Sequence, residues 1–127
     1  MQHLLIDACG WAAVIDSGMN FDIELGKVLG KPDILLLPKV LEELETLDAQ
    51  RPRSKKLLLG MLKGKATQTE EHEDSGAHTD DQILDLACAN GWVVLTVDVQ
   101  LKRRLFEAGR PVLEVTKGKR LHLLEGL

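Results

Sequence analysis

The sequence predicts an α/β protein with a three-layer α/β/α fold, in which helices cover both faces of a central parallel sheet of four or five strands. Four short apolar runs predict the strands, and they lie at residues 3–6, 33–37, 92–97 and 111–115. These runs are continuously apolar rather than alternating, which is typical of strands buried on both faces of a parallel sheet. Segments with helical spacing of apolar residues separate the runs, and this alternation favours a doubly wound fold.

Three helices are predicted in the first half of the chain, where apolar residues recur every three or four positions. Asn20 can cap the first of them, and Gly30 ends it. Pro38 suits the first turn of a second helix. Pro52 in the same way predicts a third helix that continues to Leu62.

Two further helices are predicted in the second half, one closed by Gly91 and the other by Gly109. Residues 63–79 are polar, acidic and poor in large apolar residues, so we expect a mobile polar loop with one short edge strand around residues 66–69. The tail carries apolar residues and is expected to pack. Because the length is that of one domain, residues 1–127 are expected to form a single domain.

Composition narrows the class of function. The net charge is −4 and aromatic residues make up only 3% of the chain. The core is therefore expected to be aliphatic, a base-stacking surface is not expected, and any bound nucleic acid must be held by metal ions and a local basic patch. Cys9 and Cys88 show no paired spacing and are expected to stay reduced. No signal peptide or membrane span is predicted, which favours a cytoplasmic protein.

Acidic residues are predicted to gather at one edge of the sheet. Four positions lie at or near the carboxyl ends of the predicted strands or open a helix beside them: Asp7, Glu42 or Glu43, Asp80 or Asp81, and Asp98. Ligands of open α/β sheets bind beyond the carboxyl ends of the strands. Carboxylates held close together repel one another unless a cation compensates, and Mg²⁺ combines carboxylate with phosphate oxygens. The pattern therefore predicts a metal site for phosphoryl chemistry.

Three stretches carry these acids in recognisable motifs: LLIDACG, LLLPKVLEELETL and HTDDQILDLACANGWVVLTVDVQLKRRL. They resemble the PIN-domain nuclease family, with its strand ending in Asp, its strand, Pro and Glu-Leu helix, and its Asp-Asp-x-Ile-Leu and Thr-x-Asp-x-x-Leu motifs. The ending GRPVLEVTKGKRLHLLEG is similar to the archaeal branch related to the nuclease that matures small-subunit ribosomal RNA. VapC-type toxins are more distant. The resemblance implies a Mg²⁺- or Mn²⁺-dependent endoribonuclease that hydrolyses phosphodiester bonds of single-stranded RNA.

The resemblance also assigns roles to residues. It implies four acids that form the catalytic and metal site: Asp7, Glu43, Asp80 and Asp98. Glu43 is preferred to Glu42 because Leu directly follows it, and Asp80 is preferred to Asp81 because Ile lies three residues beyond. Asp81 is either an additional metal ligand or a charge that suits the helix dipole. Thr96 matches the family's Thr and is expected to hold the site by hydrogen bonds.

Two features leave room for other interpretations. Three basic residues are either contacts to the RNA backbone or a solvated helix face: Lys102, Arg103 and Arg104. Where the family usually has Asn or Ser two positions after the first Asp, this chain has Cys9, which is a weak donor and a poor ligand for Mg²⁺. The preceding family Thr is Ala8.

Alternative functions stay open. Cys9 and Ala8 are compatible with a catalytically weak or inactive PIN-like scaffold that binds RNA or a protein partner. A receiver-like signalling domain has a similar length and acidic pocket, but receivers usually carry paired acids after the first strand, where this chain has Asp7 alone. The sequence is compatible with ribosomal RNA processing beside a ribosome-assembly partner and with toxin action beside an antitoxin. A homodimer is also possible, since many PIN domains are dimers.

Overall fold

A computed structural model of the chain describes residues 2–69 and 78–125, and within them the central feature is a six-stranded sheet. The strands in chain order are β1 His3–Ile6, β2 Asp33–Leu36, β3 Thr67–Gln68, β4 Val93–Leu95, β5 Val112–Val115 and β6 Leu121–Leu124. Their order across the sheet is β3-β2-β1-β4-β5-β6. All neighbouring strands are parallel except β5 and β6. The predicted parallel sheet is confirmed, including the edge strand around residues 66–69.

Six helices of the described residues connect these strands. They are α1 Ala8–Ser17, α2 Phe21–Val28, α3 Pro38–Ala49, α4 Leu59–Lys65, α5 Thr79–Asn90 and α6 Val99–Glu107. The chain moves from β1 to β3 in one direction across the sheet and from β3 to β5 in the other. Right-handed crossovers then place α1 to α4 on one face and α5 with α6 on the opposite face. Contacts between α1 and α3, and between α5 and α6, agree with the predicted three-layer arrangement.

Branched aliphatic side chains fill the interior, as the low aromatic content predicts. Three neighbouring strands, β1, β4 and β5, supply much of this core, and Leu4, Val94 and Leu113 are completely buried. Trp11 and Phe21 are the aromatic exceptions, with ring centroids 5.9 Å apart. Because β1 pairs with β2 on one side and with β4 on the other, the residue after β1 lies at the middle of the carboxyl edge.

Helix ends follow the capping rules that the sequence suggested. The side chain of Asn20 caps α2 by accepting a hydrogen bond from the backbone N–H of Ile23. Pro38 occupies the first turn of α3. Gly91 ends α5 in the left-handed conformation, with φ of 71°, which glycine adopts without a steric penalty. No helix among residues 2–69 and 78–125 is long and apolar enough to cross a bilayer.

The helix predicted from Pro52 to Leu62 is wrong. The structure has a short 3-10 helix at Arg53–Lys55 and a later helix, α4, that begins only at Leu59. Asp48 explains the interruption, because its carboxylate accepts the backbone N–H of Leu57 at 2.6 Å and its carbonyl accepts Lys56 Nζ at 2.7 Å. These contacts, with a fully buried Leu57, tie the segment to the end of α3 and override its helical pattern.

The loop predicted over residues 63–79 is shorter than expected at both ends. Residues 63–65 belong to α4, and residue 79 begins α5. The part of the prediction that concerns residues 70–77 lies outside the described residues.

The sheet also exceeds the predicted four or five strands, because the tail forms β6. This strand returns after a tight turn and pairs antiparallel with β5, from Val115 with Leu121 to Val112 with Leu124. Its apolar side chains thus pack, as expected of the tail, but they do so as part of the sheet.

Helix α1 lies unusually close to β4 at Gly10, and this contact gives a stability prediction. A Cβ atom on Gly10 would lie 2.7 Å from the carbonyl oxygen of Leu95 and 2.7 Å from Oδ1 of Asp7. We expect Gly10→Ala to lower the free energy of unfolding by about 1–3 kcal/mol, since a backbone atom must move. Urea unfolding measures this change.

Gly26→Ala in α2 is the matched control, since a Cβ there would meet nothing within 4 Å. It should raise the free energy of unfolding by roughly 0.5–1 kcal/mol through helix propensity. If the two substitutions had the same effect, the close approach at Gly10 would not limit the packing of α1.

Candidate metal and catalytic site

Asp7 is the most enclosed acid of the candidate site, with 5% of its surface exposed. It caps α1, where Oδ1 accepts the backbone N–H of Gly10 at 2.8 Å. Its Oδ2 accepts the hydroxyl of Thr96 at 2.5 Å and the thiol of Cys9 at 3.1 Å. Three donors therefore fix the orientation of this carboxylate.

Burial nevertheless governs the charge of Asp7. Removal from water raises the pKa of Asp7, and the negative charge of Asp80 raises it further. The donated hydrogen bonds from Thr96, Cys9 and Gly10 act in the opposite direction. Burial outweighs these bonds, so the anionic form of Asp7 is costly without a cation nearby.

Thr96 joins the ends of two elements at the sheet edge. It is fully buried directly after β4, and its hydroxyl donates to Asp7 while accepting the backbone N–H of Asp98 at 3.1 Å. Asp98 in turn caps α6, since its Oδ1 accepts the backbone N–H of Leu101 at 2.9 Å. The Thr96 hydroxyl thus makes hydrogen bonds to both Asp7 and Asp98.

Asp80 connects the four predicted acids electrostatically. It lies in the first turn of α5. Partial burial raises the pKa of Asp80, and the negative charges of Asp98 and Glu43 raise it further. Because Asp80 also acts on the pKa of Asp7, all four predicted acids belong to one field of negative charge at the carboxyl edge.

Glu43 reaches this edge from α3. Its side chain is exposed, and its Oε1 accepts the hydroxyl of Thr79 at 2.6 Å. A groove of about 460 Å³ runs along α3 from Lys39 to Gln50 and is bordered by both Glu43 and Thr79. Glu42 is exposed in the same groove. The negative charge of Glu43 raises the pKa of Asp80, which favours Glu43 over Glu42 as a member of the acid cluster.

The Cys9 thiol occupies the position that the family gives to Asn or Ser. Burial and the negative charge of Asp7 raise the pKa of Cys9 to about 11, so it remains a neutral thiol. As a thiol it donates to Asp7, and its sulfur also lies 3.7 Å from the hydroxyl oxygen of Thr96. Cys9 therefore supplies a weak form of the hydrogen bond that an Asn or Ser would make.

Asp81 follows Asp80 in α5, and two of the three basic residues of α6 are paired with acids. Arg104 donates to Asp81 at 2.7 Å, so the charge of Asp81 is compensated within the protein. Lys102 pairs with Glu114 at 3.0 Å. Arg103 is exposed and makes no ion pair with the described residues, which leaves its guanidinium most available to a phosphate.

Sequence reasoning missed Thr79 and His78 as parts of this site. Thr79 is 7% exposed and donates to Glu43, and His78 caps α5 through Nδ1, which accepts the backbone N–H of Asp80 at 3.3 Å. Thr79 directly precedes Asp80 and His78 lies two positions before it, and this proximity in the sequence was the available signal. It was not sufficient, because a threonine before an acid has no fixed partner until the helices pack.

The fit of this cluster to a divalent cation rests on the chemistry of its donors. Its acids offer carboxylate oxygens, the ligands that Mg²⁺ and Mn²⁺ prefer, and their mutual repulsion favours a cation among them. No three His, Cys, Asp or Glu side chains of residues 2–69 and 78–125 are grouped closely enough to hold an ion together. Mg²⁺ often uses only one or two carboxylates and retains water molecules, so the donor set fits an ion of this kind.

Fold and site together define an α/β protein with acids at the carboxyl edge of a parallel sheet, and comparison with known proteins specifies the family. A family model described as a PIN like domain matches residues 4–118. The chain belongs to this PIN-like domain family, and membership implies the activity of a nuclease, which is a hydrolase. This family match favours a nuclease over a receiver-like domain.

A solved structure described as that of the PIN domain endonuclease Utp24 is similar to this chain. It superposes with a TM-score of 0.81 at 21% identity, over 98% of this chain and 94% of that chain. At this identity the likeness shows a shared fold. No curated protein matches the chain. The relation to the archaeal branch stays a prediction.

The raised pKa of Asp7 gives a pH-dependent stability prediction. Because the pKa is higher in the folded chain than in the unfolded chain, ionised Asp7 lowers stability at neutral pH. This cost fades as the pH falls through the folded pKa toward the ordinary value of 3.8. Asp7→Asn keeps a good helix cap. It should therefore be more stable than wild type at pH 7 in EDTA, with a smaller difference at pH 4.

Asp85→Asn is the matched control, because Asp85 is exposed on α5. Urea unfolding of the three proteins at both pH values measures the effect. A lower stability of Asp7→Asn at pH 7 would mean that the hydrogen bonds to Asp7 outweigh its burial.

Proposed function

We propose that the protein is a metal-dependent endoribonuclease that hydrolyses phosphodiester bonds of single-stranded RNA. The observation that carries the proposal is the position of four acids. Asp7 and Asp98 follow the paired strands β1 and β4, and Asp80 of α5, whose charge acts on Asp7, is itself affected by Asp98 and by Glu43 of α3. Family membership supplies the reaction class. The assignment of these four acids to the site rests on their resemblance to the family motifs and remains part of the proposal.

The proposed site would hold Mg²⁺ or Mn²⁺ mainly through Asp7 and Asp98, which follow the adjacent strands β1 and β4. When bound, the cation supplies a water of lowered pKa and stabilises negative charge on the phosphate. The protein then has three tasks. Thr96 keeps the Asp7 carboxylate in position, and Asp98 offers the cation its second oxygen. Glu43 with Asp80 binds a further cation or orients its water at the cleft edge. Asp81 is a weaker candidate ligand because Arg104 already compensates its charge.

RNA binding requires local positive charge on a chain whose net charge is −4. We propose that the basic residues of α6 provide it, with Arg103 foremost, since Lys102 and Arg104 are paired with acids. A single strand is the proposed substrate, because it can follow the groove along α3 that borders Glu43. Ribosomal RNA processing is the proposed role, and toxin action remains the alternative that a neighbouring antitoxin would favour.

Location and assembly are further parts of the proposal. Both described cysteines are free, which fits a reducing cytoplasm. Light scattering of the purified protein would show a doubled mass if it forms a homodimer. Light scattering of the co-purified protein would show a larger mass if it binds an antitoxin or a ribosome-assembly partner.

An RNA-binding scaffold without strong catalysis is the second candidate function. The observation that favours it is the set of donors around Asp7, which leaves this carboxylate already engaged on both oxygens. Cleavage assays with different metals separate the two functions, because a scaffold binds RNA and does not cut it.

The first functional prediction concerns the metal ligands. Labelled single-stranded RNA should be cut in Mn²⁺ or Mg²⁺ and remain intact in EDTA. Asp98→Asn and Asp7→Asn should each reduce the rate by more than the roughly 10–100-fold that the loss of an outer ligand partner costs. Asn preserves both helix caps, so the loss should occur in folded proteins.

Asp85→Asn again serves as the control and should cut RNA like wild type, since it removes an exposed carboxylate from the same helix that carries Asp80. Unchanged cleavage by Asp98→Asn would contradict the assignment of the site. A folded wild-type protein that cuts in no metal would favour the scaffold.

The second functional prediction concerns the basic residues. Arg103→Ala should raise KM several-fold with little change in kcat, because a backbone contact contributes to binding and not to chemistry. It should also flatten the salt dependence of RNA affinity by about 0.7 in the log–log slope. Arg53→Ala, which removes an exposed guanidinium from the 3-10 helix after α3, is the control. Equal effects of both substitutions would point to nonspecific attraction.

A further inference from the structure

We propose that Thr79 is a positioning residue that fixes Glu43 in the orientation required for metal binding, an inference that rests on the proposed metal-dependent function. The two side chains meet across a gap between α5 and α3, where the Thr79 hydroxyl lies 2.6 Å from Oε1 of Glu43. Thr79 is one of three buried polar or charged residues of the described chain, and the other two are Asp7 and Thr96.

The geometry identifies the donor and the strength of this bond. A carboxylate has no proton to give, so the single hydroxyl proton of Thr79 is donated to Glu43. The distance of 2.6 Å falls in the range of charge-assisted O–H···O⁻ bonds. Glu43 accepts it on one oxygen, and Oε2 remains available to a cation or to its bound water.

Glu43 needs such a restraint more than the other acids do. Asp7 and Asp98 are short side chains that cap helices and are held by backbone N–H groups. Glu43 has an additional rotatable bond and lies on an exposed part of α3, where a free side chain samples several rotamers. The buried hydroxyl of Thr79, at the start of α5, favours one of these Glu43 rotamers.

The position of Thr79 in the chain makes the restraint specific. It is the first residue of α5 and directly precedes Asp80, whose charge is coupled to that of Glu43. Helices α3 and α5 lie on opposite faces of the sheet, so Glu43 and Asp80 share no secondary-structure element. The hydrogen bond from Thr79 to Glu43 connects the two helices that carry these acids. Thr79 and Thr96 thus perform parallel tasks, one for Glu43 and one for Asp7.

The test compares Thr79→Val, which removes the hydroxyl and preserves the shape, with Thr79→Ser, which restores the hydroxyl. Binding of Mn²⁺ alone is measured by calorimetry, and the Mn²⁺ dependence of RNA cleavage is measured separately. Thr79→Val should weaken Mn²⁺ binding and raise the half-saturating Mn²⁺ concentration roughly 10-fold, as expected for an outer partner of a metal ligand. Thr79→Ser should recover most of the wild-type metal dependence.

Thr67→Val is the matched control, because Thr67 is an exposed threonine of β3 whose hydroxyl donates to the carboxylate of Asp33 at the start of β2, outside the acidic site. It should leave Mn²⁺ binding unchanged. A double-mutant cycle with Glu43→Gln adds a second readout, since Thr79→Val should have little further effect once the Glu43 carboxylate is gone.

The outcomes separate this inference from the proposed function. Cleavage and Mn²⁺ binding that are normal in Thr79→Val would overturn the positioning role and leave the nuclease proposal intact. A defect that Thr79→Ser does not repair would overturn it too, because the role would then be packing. Weakened Mn²⁺ binding by Thr79→Val in a protein that cuts no RNA would support the inference while the nuclease proposal fails. A wild-type protein that binds no Mn²⁺ would overturn both.

Discussion

The buried hydrogen bond from Thr96 to Asp7 is the contact on which the carboxyl edge of the sheet depends. It connects the residue after β1 with the residue after β4, and it continues through the backbone N–H of Asp98 into α6. The Thr96 hydroxyl therefore connects the ends of β1 and β4 with the beginnings of α1 and α6. Gly10 completes the arrangement by allowing α1 to lie against β4, where any side chain would meet backbone.

This arrangement concentrates negative charge at a cost to the folded state. Burial and neighbouring acids raise the pKa of both Asp7 and Asp80, so ionisation of each is opposed by its surroundings. The rest of the fold buries an aliphatic core between the sheet and its helices. Burial of these side chains stabilises the folded state against the repulsion at the acidic edge. Charge repulsion and apolar packing are thus separated in space, with the mutually repelling carboxylates at one edge of the sheet and the apolar core on its faces.

The strands and the acids were predictable because each has a local signal. Continuous apolar runs mark the strands, and Asp7 and Asp98 stand where those runs stop. Helix α1 was missed because its sequence, ACGWAAVIDS, has little polar face to reveal a helical period. The helix predicted from Pro52 failed because Asp48 binds that segment from another element. The sequence shows Thr79 beside Asp80 but does not reveal its partner Glu43, because the two side chains meet only in the folded chain.

The distance along the chain between Asp7 and Thr96, 89 residues, has a consequence for protein synthesis. A chain that has emerged from the ribosome only as far as β3 contains Asp7 and Glu43 but neither Thr96 nor Asp98. The pairing of β1 with β4 closes the longest loop in the sheet, and contacts of such separation form slowly. The acidic cleft is therefore assembled late, only after β4 has left the ribosome and paired with β1.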